Sequence, residues 1–213
     1  KGAIGSYDNI RKTFIILGQT IDASQAILIP SSLVLTDGLI VEAEGEIVGG
    51  ILLAHKVKQK GEKIKIQASL AALADDSISF DFDGGIIQVR VNRQTEIEDD
   101  VSGMDISLGE LVVGDFVEMK AFADGAGAIN AIELERVNPK EILVVAPLNG
   151  FDSGSVSVDM LGVNFDLSAA TFEDANDVML TREEFFAALS PGVFIKIRDS
   201  DSNGVFEKAE LSD

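Results

Sequence analysis

The sequence contains no cysteine, no tryptophan, one histidine and one tyrosine among its 213 residues. Without cysteine there can be no disulfide bonds, thiolate nucleophiles, zinc–thiolate sites or iron–sulfur clusters. A Ser-His-Asp triad would have to include His55, and the neighbouring residues 51–57 contain no serine or aspartate to accompany it. We therefore expect no catalytic site built on cysteine or histidine.

Basic residues are also scarce. The chain has 17 Lys and Arg against 36 Asp and Glu, which gives a net charge of −19. Nucleic-acid binding depends on Lys and Arg displacing counterions from phosphates, so we expect no nucleic-acid partner. No apolar run approaches the roughly 20 residues of a membrane-spanning helix, so we expect no transmembrane segment.

The sequence contains a threefold internal repeat. Three stretches begin with glycine and then alternate apolar and charged residues, at 38–44, 114–120 and 192–198. Each is followed by a turn closed by glycine and by a second alternating run, at 51–57, 128–134 and 205–211. Alternation of this kind is typical of half-buried strands. Each copy is therefore predicted to end in a β-hairpin.

A second hairpin is predicted upstream in each copy, within residues 13–22, 77–89 and 155–167. The Asp83-Gly84 pair predicts a type I′ turn, because both central residues of that turn need a positive φ. Between the two hairpins of the last copy, residues 182–189 predict one or two helical turns. Thr181 and Glu184 have the spacing of a capping box for this helix.

These elements predict an all-β protein of three tandem, small OB-like or Greek-key β-barrel modules with short helical turns. The predicted boundaries are residues 1–60, 61–138 and 139–213, and we expect the first module to be incomplete at its N-terminus.

The repeated motifs resemble a known family. They comprise an acidic stretch opened by threonine, at 95–100 and 171–174, the sequence Gly-Asp-Phe-Val-Glu at 114–118, and Ala-Ile-Glu-Leu at 131–134. This succession resembles a bacterial domain of unknown function whose all-β, OB-like modules occur in tandem in exported proteins and lipoproteins. The resemblance implies an extracytoplasmic protein, in the periplasm, at the cell surface or secreted, without an assigned activity.

The sharpest local motif is a calcium-loop pattern at residues 199–210, with Asp199, Asp201 and Asn203 at alternate positions and Gly204 at the sixth. Calcium prefers six to eight oxygen ligands, which such a loop can supply. Residues 205–211 are predicted to be a strand, however, which would carry Glu210 about 20 Å away from Gly204. Two interpretations therefore stay open: a calcium site in the last hairpin, or a turn with solvated acids.

Several pairs of carboxylates could be read as the acid and base of a glycoside hydrolase, namely Asp75 with Asp76, Asp99 with Asp100, and Asp174 with Asp177. Such an enzyme needs two carboxyl groups held in a cleft, one of them with a raised pKa. A carboxylate-dependent glycoside hydrolase, or another polysaccharide-active protein, is the alternative function.

Five of the basic residues lie close together, at positions 56, 58, 60, 63 and 65. Lys56, Lys58 and Lys60 alternate, so on a strand they would share one side and could contact an acidic partner or the next module. The leading hypothesis is a non-enzymatic binding or structural protein. It would contact a protein partner or associate with itself through open edge strands, as a homo-oligomer or fibre.

Overall fold

A computed structural model describes residues 1–31, 33–61, 63–124 and 127–212. The described part is almost entirely β-structure, with one α-helix, as predicted. The three predicted ranges are called the first, second and third segments below. The first segment contains β1 (Gly2–Ala3), β2 (Gly5–Asp8), β3 (Thr13–Ile16), β4 (Gln19–Asp22), β5 (Ile27–Ile29), β6 (Ile40–Val48) and β7 (Ile51–Gln59).

The second and third segments continue the numbering. The second contains β8 (Ile64–Ser69), β9 (Ala72–Ala74), β10 (Ser77–Phe82), β11 (Gly85–Arg90), β12 (Glu96–Asp99), β13 (Met104–Asp105), a 3-10 helix (Leu108–Glu110), β14 (Phe116–Ala123) and β15 (Ile129–Arg136). The third contains β16 (Ile142–Asp152), β17 (Ser157–Met160), β18 (Val163–Asp166), β19 (Thr171–Glu173), β20 (Met179–Leu180), α1 (Arg182–Ala188), β21 (Phe194–Asp199) and β22 (Lys208–Leu211).

The same strand pairing recurs in all three segments. The last hairpin is antiparallel in each, formed by β6 and β7, by β14 and β15, and by β21 and β22. Its final strand also pairs in parallel with a short strand, which is β5, β12 or β19. In the first two segments that final strand is parallel to β4 or β11 as well. These mixed pairings let each sheet curve back on itself, which makes the sheets barrel-like.

The hydrophobic side chains form two clusters among the described residues. One lies within the first segment and includes Phe14, Ile21 and Val57. The other extends through both the second and third segments, from Ile64 to Ala209. The two later segments also share one sheet, because β8 pairs with β14 on one edge and with β16 on the other. Strand β8 therefore joins the second segment to the third.

The upstream hairpins turn as the Asp83-Gly84 pair predicted. Asp83 and Gly84 have φ values of 53° and 84°, as a type I′ turn requires. The equivalent turns also have two consecutive positive φ values, 49° and 84° at Leu17-Gly18 and 55° and 82° at Leu161-Gly162. The three hairpins can therefore be compared position by position, which matters for the surface of the first segment below.

The predicted capping box at the helix is confirmed. The Glu184 backbone N–H donates to Thr181 Oγ1 at 3.2 Å, and the Thr181 N–H donates to Glu184 Oε2 at 2.9 Å. The helix packs Phe185 and Phe186 into the core. No helix in the described ranges is long and apolar enough to cross a membrane.

Candidate binding surfaces

The predicted calcium ligands lie in the loop that follows β21. Asp199 is fully buried, and its carboxylate accepts the backbone N–H groups of Asn203 at 3.1 Å and Gly204 at 2.7 Å. Asn203 Oδ1 accepts the N–H of Val205 at 2.8 Å, and Asp201 is exposed. Asp199 and Asn203 thus accept hydrogen bonds from backbone N–H groups of their own loop. A cation bound there would share the Asp199 carboxylate with two N–H donors. Calcium binding stays a prediction.

The loop also shortens the returning strand. Strand β22 begins at Lys208 rather than at Val205, because residues 199–205 are held together by the hydrogen bonds of Asp199 and Asn203. Glu210 lies within β22, where it forms an ion pair with Lys196. The residue at the twelfth position of the calcium-loop pattern is therefore part of the sheet and takes no part in the loop.

An acidic cluster that the sequence did not predict lies on the same sheet. Ligand atoms of Glu173, Asp177 and Glu210 lie within 4.8 Å of one another, as the parallel pairing of β19 with β22 sets Glu173 beside Glu210. Lys208 Nζ lies 2.6 Å from Glu173, and Lys196 pairs with Glu210. Lysines thus already neutralise two of the three acids, which is the arrangement of a structural ion-pair network.

The carboxylate pairs considered for a hydrolase either accept hydrogen bonds from the backbone of their own turns or are exposed to solvent. Asp75, Asp76 and Asp100 are exposed. Asp174 accepts the N–H groups of Val178 and Asn176, and these hydrogen bonds lower its pKa. Among the described residues, a raised pKa is found at the carboxyl of Glu135, which the sequence did not predict. Burial and the neighbouring Glu133 raise the pKa of Glu135.

Asp99 is the best-connected of these acids and is only 3% exposed. Its Oδ2 lies 2.6 Å from Arg136 Nη2, and it also accepts from Ser102 Oγ and the Val101 N–H. The hydrogen bonds from Arg136 and Ser102 hold the pKa of Asp99 well below its usual range. Through these hydrogen bonds Asp99 connects the turn after β12 to Arg136 at the end of β15.

We expect an Asp99→Asn variant to be less stable than the parent at neutral pH, because the charge opposite Arg136 is lost. Folding lowers the pKa of Asp99. Its carboxylate therefore makes its full contribution to the free energy of unfolding above the pKa of the unfolded chain, about 3.9, and this contribution is lost as the pH falls below that value. Urea unfolding at a series of pH values from 7 to 2 should show the two stabilities converging below about pH 4. Asp100→Asn, at an exposed position, is the control and should show no such convergence. A constant difference at every pH would contradict the assignment.

The first segment exposes an apolar row on the outside of its sheet. Cross-strand pairing aligns Ile15 on β3, Thr20 on β4, Ile51 on β7 and Val48 on β6. Ile15 and Ile51 are each 39% exposed, and Val48 is 54% exposed. Leu53, two residues along the same face of β7, is 44% exposed. We call Ile15, Val48, Ile51 and Leu53 the apolar face.

The position of Ile15 is polar in the other two upstream hairpins, although Ile86, opposite that position in the second, is itself 55% exposed. Counting from the type I′ turns, the position of Ile15 is taken by Asp81 in the second segment and by Asp159 in the third. The apolar face was not found by sequence reasoning, although aligning the three hairpins at their turns would have shown this difference.

Exposed apolar residues and charge are distributed unequally along the chain. Of the 19 exposed large hydrophobic side chains among the described residues, ten belong to the first segment. Residues 1–60 contain six basic and six acidic residues, whereas residues 61–213 contain 11 basic and 30 acidic ones. The first segment is therefore neutral, and the other two carry the whole net charge.

The clustered lysines at positions 56 to 65, around the boundary of the first and second segments, differ in their contacts. Lys56 and Lys60 form ion pairs with Glu44 and Glu42 of the adjacent strand β6, at 3.8 and 2.9 Å. Lys63 and Lys65 instead line a cleft where β8, β14, β16 and β21 meet, together with Gly61, Lys120, Val145, Phe194 and Ser212. The pair at positions 63 and 65 thus contributes to a concave surface.

Residues 70–135 match the family described as Domain of unknown function (DUF5666), which covers most of the second segment and less than a third of the chain. No curated protein and no solved structure matches the chain.

Proposed function

We propose that this chain is a non-enzymatic, extracytoplasmic assembly protein built of three tandem OB-like modules, and that the first module associates with a second copy of the chain. The recurring strand pairing of the three segments supports the modular part. The location rests on the resemblance of the repeated motifs to modules of exported proteins. The apolar face of the first segment carries the proposal of self-association.

An apolar face of several neighbouring side chains on an otherwise acidic chain favours association. The equivalent hairpin positions in the other segments are aspartates, so the shared fold does not require isoleucine there. Burial of such side chains against another surface would remove apolar area from water, worth about 25 cal/mol per Å² before the costs of association.

The charge distribution favours a second copy of the chain as the partner. The neutral first segment can approach its own counterpart without a net charge penalty, whereas contact through the later segments would oppose two strongly acidic surfaces. In a twofold contact through the first segments, the acidic segments would take no part in the interface, and salt screens exposed charges that lie more than about 8 Å apart at physiological ionic strength.

The test is the mass of the particle in solution, measured by sedimentation velocity over a range of concentrations. We expect the parent to approach twice the chain mass of 22.6 kDa. Ile15→Asp introduces the residue of the other two hairpins and should weaken association by about 100-fold, because each dimer would bury two unpaired carboxylates. Val113→Asp, at a 62% exposed site in a turn of the second segment, is the matched control and should associate normally.

Two results would overturn this proposal. A parent that stays at 22.6 kDa up to high concentration would remove self-association altogether. An Ile15→Asp variant that dimerises like the parent would show that another surface, such as an open strand edge, makes the contact. Both results are read on folded protein, because Ile15 is exposed and takes no part in the core.

A further inference from the structure

The seam between the second and third segments places three lysines in one line. Lys120 on β14 pairs with Lys65 on β8, Lys65 pairs with Val145 on β16, and Val145 pairs with Lys196 on β21. Residues directly opposite each other in a sheet project on the same face. The outer face of four adjacent strands therefore carries three lysines in a row, and the next strand at each end adds a glutamate, Glu133 beside Lys120 and Glu210 beside Lys196.

The row borders a cleft of about 370 Å³. Lys63, Lys65 and Lys120 line it, beside the apolar side chains of Val145 and Phe194. Ammonium groups and apolar carbon are thus available within one concave surface at the place where the two segments share their sheet.

The positive charge in this cleft is only partly balanced. Lys120 donates to Glu133 at 2.7 Å and lies 3.8 Å from Glu135, and Lys196 pairs with Glu210 at the far end of the row. Within the described ranges, neither Lys63 nor Lys65 forms an ion pair within 4.0 Å. Burial lowers the pKa of Lys63, and the nearby charges of Lys120, Lys58 and Lys60 lower it further, against the opposing effect of Glu133. An anion in the cleft would offset these repulsions.

We propose that this cleft binds a small organic carboxylate, with Lys63 and Lys65 holding the carboxylate and Val145 and Phe194 contacting its carbon skeleton. Lysine ammonium groups act as point charges and need no fixed planar geometry from the ligand. The acidic surroundings repel a long polyanion, whereas a single small anion is held within the short range of the lysines. An acidic sugar, with a carboxylate beside a ring, has the required combination. The site is independent of the association proposed above.

Calorimetric titration with galacturonate tests the site, with neutral galactose and inorganic sulfate as comparison probes. We expect galacturonate to bind with a dissociation constant of about 1 mM. The variant Lys63→Gln plus Lys65→Gln should bind at least about tenfold more weakly. Arg11→Gln plus Lys12→Gln removes the same charge from an exposed loop of the first segment and should bind like the parent.

NMR titration of the lysine ammonium groups provides a second measurement. If Lys63 and Lys65 were purely structural, galacturonate would not change their titration. Galacturonate should raise the pKa of Lys63, and its affinity should fall as pH rises through that pKa. The absence of saturable binding, equal binding by the Lys63/Lys65 variant, or equal binding of galactose would overturn the site. Sulfate binding as tight as that of galacturonate would overturn its selectivity for a carboxylate.

Discussion

Phe165→Ala is expected to destabilise the core shared by the second and third segments by about 4 kcal/mol. Phe165 is 2% exposed, and its ring lies between Phe82 of the second segment and Phe206 of the third, at centroid distances of 5.4 and 5.3 Å. Removing the ring therefore leaves a cavity and breaks two edge-to-face contacts, each of which adds to the burial energy. One substitution in the third segment should lower the stability of the second as well.

Phe14→Ala is the matched experiment in the first segment, where Phe14 is 1% exposed and belongs to the other cluster. Calorimetric scans should show two transitions, one for the first segment and one for the other two together. Phe165→Ala should shift only the second of these and Phe14→Ala only the first. If Phe165→Ala instead separated the second and third segments into two transitions, their shared core would not act as one cooperative unit.

Gly45→Ala is expected to destabilise the first segment by about 3 kcal/mol. Gly45 lies on β6 at an irregularity in its pairing with β7, and a methyl group there would be 2.0 Å from the carbonyl oxygen of Leu53. The obstacle is backbone, so it cannot rotate away, and the hairpin would have to change its register or separate. Loss of the hairpin would also remove Val48 and Leu53 from the apolar face.

Gly5→Ala provides the control in the same segment. A methyl group at Gly5 meets no atom closer than 3.9 Å, so ordinary packing accommodates it. Urea unfolding of the two variants should give a much larger loss for Gly45→Ala, confined to the transition of the first segment. The corresponding site on β14 holds Ala121, so a comparison of the repeats alone would predict that alanine is tolerated at Gly45. Equal stability of the two variants would support that simpler prediction over the geometry.

Local features of the fold could be predicted because neighbouring residues determine them. The Asp83-Gly84 turn follows from the φ values that its two residues accept, and the helix start at Thr181 follows from two side chains three residues apart. The final hairpins follow from alternation of apolar and charged residues between glycines. Asp99 was noticed as one of a pair of acids, but its bonds to Arg136 were not predicted, because 37 positions separate the two residues.

The surfaces that carry the proposals depend on the register between strands that are distant in the chain. The cleft exists because β8 pairs with both β14 and β16, which sets Lys65 between Lys120 and Val145. The acidic cluster exists because β19 pairs in parallel with β22. A shift of one residue in either pairing would turn these side chains to the opposite face. Nothing in the local pattern of one strand specifies which partner it meets or at which register.

The sequence alone therefore determined the all-β class, the hairpins and their turns, and the acidic balance from which we expect no nucleic-acid partner, since each depends on composition or on residues close in the chain. Only the tertiary structure decided that the second and third segments share one core, that lysines meet at their seam, and that the first segment presents an apolar face. Those features arise from pairing and burial between residues far apart, whose energies no single stretch of sequence contains.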